Sequence, residues 1–290
     1  MARTRELVRR RKSIRNTRKI TRTMEMIATA KFKKASDRIH AAAPYADRLA
    51  AMVSGLAASM SGQFQDPLLR VPEETKRVAL LVVTGNRGLC GAYNTNVLSK
   101  SLETYRARKA EGKEIELQVS GKKGISFFQY QDVPIAKKYV EFEDKPVYDR
   151  VKPIADDFLA RFRAEAFDEL RVVYTRFASS SRQVVVEEVF LPLQAGSVAE
   201  TAATRDYIYE PGPAEILTEL LPHSFRTRLF TVFLHAAASE QVARMVAMKN
   251  ATDNADEIIK SLTRMYNRAR QSQITTEILE IMGAKAAMEG

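Results

Sequence analysis

The chain has 290 residues, with 46 Lys+Arg against 35 Asp+Glu and a formal net charge of +11. A hydrophobic content of 45% excludes global disorder, and a single cysteine, Cys90, excludes a disulfide scaffold and fits a reducing compartment. The charge is local: residues 1–40 hold 14 basic and 3 acidic residues, whereas residues 41–211 and 212–290 are each balanced, which argues against a uniformly basic nucleic-acid coat.

Residues 3–42 contain no Gly and no Pro. Leu7, Ile14, Thr17, Thr21, Met24 and Ala28 recur at alternating steps of three and four after a first step of seven, a thin heptad seam. The other faces are mostly Arg and Lys, so the segment reads as a helix about 60 Å long. Pro44 is a place for a kink, with helix resuming over residues 45–61 and a loop over 62–72. The N-terminus lacks the apolar stretch of a secretory signal, and its charge merges into the helix, which disfavours a transit peptide. The longest aliphatic run, residues 78–83, is far short of the roughly 20 residues that span a bilayer.

Residues 76–210 change character. Strands are expected at 77–84, 114–120 and 135–142, and helices at 94–109, 122–130 and 149–167. Residues 169–177 and 183–192 read as a hairpin around a Ser179–Ser181 turn. Strands alternating with helices predict an α/β domain on a mostly parallel sheet with an antiparallel edge. From 213 to about 287 the chain is helical again, with Pro222 as a kink or as the start of the unbroken rod. One stripe holds Leu229, Val232, Ala236, Ala243 and Val246, and a second holds Ile258, Leu262, Met265 and Ala269. Helices this long need partners for their seams, and the simplest partner is each other, as an antiparallel coiled coil. The boundaries are therefore 1–61, 76–210 and 213–287.

The candidate chemistry is sparse. Gly85-Asn86-Arg87-Gly88-Leu89-Cys90-Gly91 lies between a strand and a helix, the context of a phosphate loop, but matches neither the dinucleotide fingerprint nor a P-loop. Its glycines are read as permitting a tight turn, and Cys90 as a small buried thiol. His40, His223 and His235 have no metal-ligand spacing. Glu187-Glu188 and Asp156-Asp157 are sequence neighbours whose side chains point apart, which is unsuited to an acid/base pair. A basic arm such as Arg9-Arg10-Arg11-Lys12 suggests nucleic acid, yet Phe32 is the only aromatic in residues 1–40 that could stack on a base. No catalytic constellation emerges. The residues describe a structural or mechanical component, with a basic-arm nucleic-acid-binding protein as the alternative.

Four collinear motifs carry a resemblance. They are Asn16-Thr17-Arg18-Lys19-Ile20-Thr21-Arg22-Thr23-Met24-Glu25-Met26-Ile27-Ala28, residues 82–94, the run Asp206-Tyr207-Ile208-Tyr209-Glu210-Pro211, and residues 238–255 continuing through 266–275. Together they resemble the gamma subunit of F-type ATP synthase over the full chain. The resemblance implies an antiparallel coiled coil of the terminal helices plus a central Rossmann-like α/β domain. It implies a non-catalytic rotor turning inside three alpha and three beta subunits, above a membrane c ring and beside epsilon, with no cofactor. It implies that proton flow through the c ring is coupled by this rotation to ATP synthesis or hydrolysis on the beta subunits. Met24, Arg244, Gln271 and Thr275 would meet beta subunits, and Tyr207 and Tyr209 would lie near the c ring and epsilon. Arg9, Arg10 and Lys12 would face beta-subunit carboxylates. The apolar tip, with Leu279, Ile281 and Met282, would sit in a bearing formed by the ring. Because the chain starts directly at the helix, a bacterial protein at the cytoplasmic face of the inner membrane is expected. Cys90 stands alone, so the plastid thiol switch is not expected, and no polar role is expected of Asn86.

Overall fold

The computed structural model describes residues 2–60, 66–70, 72–142, 145–193, 210 and 212–289. Helix α1 spans Ala2–Ser59 and contains Pro44. Helix α5 spans Pro213–Glu289 and likewise contains Pro222. At 1.5 Å per residue these helices are about 85 and 115 Å long. Between them lie β1 (Arg77–Val83), α2 (Tyr93–Ala110), β2 (Glu114–Ser120), α3 (Lys122–Tyr130), β3 (Lys137–Tyr139), α4 (Tyr148–Arg163), β4 (Glu169–Ser179) and β5 (Arg182–Leu191). A short 3-10 turn, Pro67–Leu69, sits in the expected loop, capped by the Asp66 carboxylate, which accepts from the Leu68 N–H at 2.8 Å.

The sheet order is β3-β2-β1-β4-β5. β1 pairs in parallel with β2 (Val78 opposite Ile115) and with β4 (Val78 opposite Glu169), and β2 with β3. β4 and β5 form the antiparallel hairpin. The Ser179 hydroxyl closes its turn by accepting from the N–H groups of Ser181 and Arg182. Central β1 alternates between two cores. Ala79, Leu81 and Val83 face α4 and part of α5; Leu80 and Val82 face α2 and α3. Helices on both faces explain why β1 is aliphatic throughout rather than alternating with polar residues.

Two boundaries differ from expectation for identifiable reasons. Residues 135–142 yield only three strand residues, because the Asn86 amide donates to the carbonyls of Val140 (3.0 Å) and Phe142 (2.8 Å) and draws them away from the ladder. The side-chain oxygen of Asn86 also accepts from the Lys122 N–H at 2.9 Å, so Asn86 has the polar role that its sequence context did not suggest. α4 stops at Arg163, before 167, because Glu165 adopts a left-handed φ of 56° and the next N–H groups fold back onto Ala160, Phe162 and Arg161 carbonyls.

The chain forms two compact units, Met1–Ala28 with Arg244–Gly290, and Thr29–Ala243. In the second, Ala35 and Ile39 of α1 cluster with Leu234 and Ala238 of α5, and Tyr45, further along α1, meets His223, earlier on α5, so the helices oppose in direction. In the first they oppose as well, through the contacts described next.

Candidate partner-binding surface

In the unit Met1–Ala28 with Arg244–Gly290, α1 and α5 meet along a seam that is largely polar. Thr21 and Ala28 are buried, and Leu7, Ile14 and Met24 are half-buried, as the heptad predicts. Thr17 is exposed, and Arg18 takes the seam position beside it. Four rungs climb α1 while descending α5. Thr4 Oγ1 donates to Gln273 Oε1 at 2.9 Å. The Arg11 guanidinium lies 5.0 Å above the Tyr266 ring. Arg18 Nη1 donates to Asp256 Oδ1 at 2.6 Å, and the Thr21 and Thr252 hydroxyls meet at 2.8 Å. Arginine can occupy such a seam because its aliphatic stem packs while its head reaches the edge. On α5, Leu262 and Ala269 are half-buried as expected, but Val246, Ile258 and Met265 point outward at 45%, 45% and 55% exposure. Thr4, Arg11, Arg18, Asp256, Tyr266 and Gln273 were missed because none is apolar. The signal that could have found them is complementary chemistry at positions rising along one helix and falling along the other.

The outer faces carry the charge. Arg5, Arg9, Lys12, Arg15 and Lys19 are exposed and have no carboxylate partner among the described residues. Arg10 pairs with Glu6 at 2.7 Å, but both are exposed, so the pair is weak. An open groove of about 500 Å³ is lined by Arg18, Lys19, Arg22, Thr23 and Asp256, three cations to one carboxylate. The rungs place Arg9, Arg10 and Lys12 at the same end of this unit as Gln271 and Thr275, which share one face of α5; the Thr275 hydroxyl donates to the Gln271 carbonyl at 3.0 Å. Met24 lies several turns away, beyond the Thr21–Thr252 rung on α1, on the side where Arg244 lies on α5. Arg244 is buried, with 8% exposure. Tyr207 and Tyr209 lie outside the described residues. The apolar tip is open: Ile278, Leu279, Ile281 and Met282 are 51–69% exposed. No described helix is long and apolar enough to cross a membrane.

The glycine loop at the end of β1 is committed to packing. The Gly85 N–H donates to Asn94 Oδ1 at 2.9 Å, and its carbonyl accepts from the Lys123 N–H at 3.2 Å. A Cβ on Gly85 would lie 2.9 Å from the Glu240 carboxylate of α5. A phosphate placed there would meet that negative charge, and Gly85 already spends its backbone groups on the fold. Cys90 is buried, in line with its expected small thiol role.

A family model described as ATP synthase matches residues 3–288. The ATP synthase gamma chain of Rhodopirellula baltica is 44% identical over 297 residues, covering all of both chains. That of Leptospira biflexa is 42% identical over 289 residues, covering 99% of this chain and all of its own. Among solved structures, a chain of the Euglena gracilis mitochondrial ATP synthase OSCP/F1/c-ring assembly superposes with a TM-score of 0.66 at 19% identity, over 99% of this chain and 95% of that one. A chain of the rotor from the same source gives 0.63 at 18%, over 94% and 99%. The nucleic-acid reading of the basic arm finds no support in these comparisons.

Proposed function

The chain belongs to the ATP synthase gamma-chain family, and from that premise we propose that it is the central rotor shaft of an ATP synthase. It couples proton flow through a membrane c ring to ATP synthesis or hydrolysis at beta subunits by turning inside a ring of three alpha and three beta subunits. The observation that carries this reading is the opposed pair of long helices, with the positive excess confined to α1 and exposed at Arg5, Arg9, Arg10, Lys12, Arg15 and Lys19.

Each physical requirement of a shaft has a counterpart in the residues. Torque needs stiffness, and the stretches that span the four rungs, 4–21 of α1 and 252–273 of α5, contain neither proline nor glycine. Turning within a sleeve needs contacts that are interchangeable. Threonine, alanine and exposed lysine or arginine give shallow contacts, each worth a fraction of a kcal/mol to about 1 kcal/mol. A catalytic ring held in three states needs an asymmetric object at its centre. Two helices of unlike charge, one strongly cationic and one neutral, supply that asymmetry.

In this proposal residues 1–61 and 213–287 form the shaft and 76–210 the globular domain. Arg9, Arg10 and Lys12 face beta-subunit carboxylates, and Met24, Arg244, Gln271 and Thr275 touch beta subunits. Tyr207 and Tyr209 lie toward the c ring and epsilon, and the chain itself catalyses nothing. It is a peripheral subunit at the cytoplasmic face of a bacterial membrane.

Co-purification tests the assignment: recovery with alpha and beta subunits at 3:3:1 supports it, and a lone monomer with its own enzymatic turnover refutes it. Replacing Arg9, Arg10 and Lys12 together with Ala should weaken assembly or ATP-driven proton pumping while the isolated chain keeps its thermal stability. Unchanged pumping by the assembled mutant would sink the role given to those three cations.

A further inference from the structure

Within the unit Thr29–Ala243, α5 is gripped from two directions. Arg226 and Arg228 are two residues apart and so point about 200° apart around the helix. Arg226 Nε donates to Asp156 Oδ1 of α4 at 2.5 Å. Arg228 Nη2 donates to Glu188 Oε2 at 3.3 Å and to the Val189 carbonyl at 3.2 Å, both on β5. The Arg228 guanidinium carbon also lies 4.0 Å above the ring of Phe190, which is fully buried and meets Phe225 of α5 at 6.3 Å. Glu188 is held in turn by Arg176 and by the Tyr174 hydroxyl on β4. Burial pushes the pKa of Arg228 down. Its side chain is still 41% exposed, and an arginine stays charged at any ordinary pH, so the cation is partly desolvated and held by its partners.

The apolar packing is equally one-sided. α5 supplies Leu217, Leu221, Phe225, Leu229, Val232, Phe233 and Ala236 to the larger core among the described residues, whereas α1 supplies Val53 and Leu56. Phe233 stacks on Phe142 at 4.5 Å, and Ser239 Oγ donates to the Thr175 carbonyl of β4 at 3.3 Å. α5 then continues unbroken past Ala243 to Glu289.

We propose that Arg228, seated between Glu188, the Val189 carbonyl and the Phe190 face, is the joint through which the α/β domain turns α5, and that α5 rather than α1 carries torque out of that domain. This rests on the rotor reading. Polar bonds that are directional resist sliding and rotation of a helix on a sheet, which apolar burial alone resists poorly. Arg228 is a positioning residue in this role, since it touches no nucleotide.

The test uses the chain assembled with alpha and beta subunits, the ring locked by a non-hydrolysable ATP analogue, and a bead on the globular domain through Tyr130→Cys. Tyr130 is 84% exposed and the native Cys90 is buried, so labelling is selective. The readout is the angular variance of the bead, which a change in overall stability does not move. Arg228→Met and Glu188→Gln should each raise the variance about two-fold or more, with Arg228→Lys in between because it keeps charge but not the planar stack. Phe32→Leu, which removes an α1 ring contact to Phe177, should leave it unchanged. Unchanged variance in Arg228→Met, or equal softening in Phe32→Leu, overturns the proposal. Failure of both Arg228→Met and Glu188→Gln to assemble also overturns it, in favour of a folding role. Failure of the unsubstituted chain to rotate with ATP would instead overturn the rotor reading itself.

Discussion

Asp168 shows how one side chain can close a sheet. Its carboxylate accepts from the N–H groups of Lys76 and Arg77 at 2.9 and 2.8 Å and from Arg77 Nη2 at 3.0 Å, tying β4 to the start of β1. Burial alone would raise its pKa; the Arg77 and Lys76 N–H groups and the Arg77 guanidinium outweigh that and hold it below the usual range. A folded pKa below the unfolded one adds stability above about pH 4, which is lost as pH falls through the folded value. Asp168→Ala should therefore cost about 2–3 kcal/mol at neutral pH and flatten the acid limb of the stability curve, as read by urea unfolding across pH. Two glycines with positive φ separate backbone strain from steric clash. Gly121 has a φ of 100°, and a Cβ there would lie 2.3 Å from the Thr84 carbonyl oxygen. Gly112 has a φ of 78° and open space around it. Gly121→Ala should cost about 3 kcal/mol or more, against about 1 kcal/mol for Gly112→Ala, measured in the same denaturation series.

Among the elements, α1 is the one whose pattern misleads most. Its seam residues are Thr4, Leu7, Arg11, Ile14, Arg18 and Thr21, so the apolar count alone understates the pairing. Thr21 and Thr252 are both buried, and each hydroxyl is also within reach of a carbonyl of its own helix, Arg18 and Met248. Replacing both with Val removes two polar groups of matched shape, and the isolated chain should gain up to about 1 kcal/mol in thermal unfolding followed by circular dichroism. A loss larger than about 1 kcal/mol would show that the hydroxyl pair holds more than its own contact. Pro44 sits inside α1 and forgoes an intrahelical bond. Pro44→Ala should stabilise the same chain by about 1–3 kcal/mol, and no gain would mean that the surrounding helix has relaxed around the ring.

For the whole molecule, the +11 is a property of one helix. Five exposed cations, Arg5, Arg9, Lys12, Arg15 and Lys19, lack internal partners among the described residues, so their field is available to another protein. Assembly with alpha and beta subunits should then speed up at low salt, because exposed charges steer encounter over about one Debye length, roughly 10 Å at 0.1 M. The triple Ala variant of Arg9, Arg10 and Lys12 should lose much of that salt dependence. Equal salt slopes for the two chains in stopped-flow assembly would count against steering by these residues.

The sequence by itself determined the order of elements, the parallel sheet with its antiparallel edge, the place of the charge and the family, because each rests on local periodicity or on runs of particular residues. β2 and α3 match their expected ranges for that reason. Only the tertiary structure decided which residues face which. Val246, Ile258 and Met265 look like seam residues and point outward, while Arg11 and Arg18 look like surface and form rungs with Tyr266 and Asp256. Asn86 shortens β3 from 50 residues away, and Glu240 lies against Gly85 across still more chain. Whether a polar side chain is buried depends on what stands opposite it, and long-range partners leave no periodic trace in the chain that carries them.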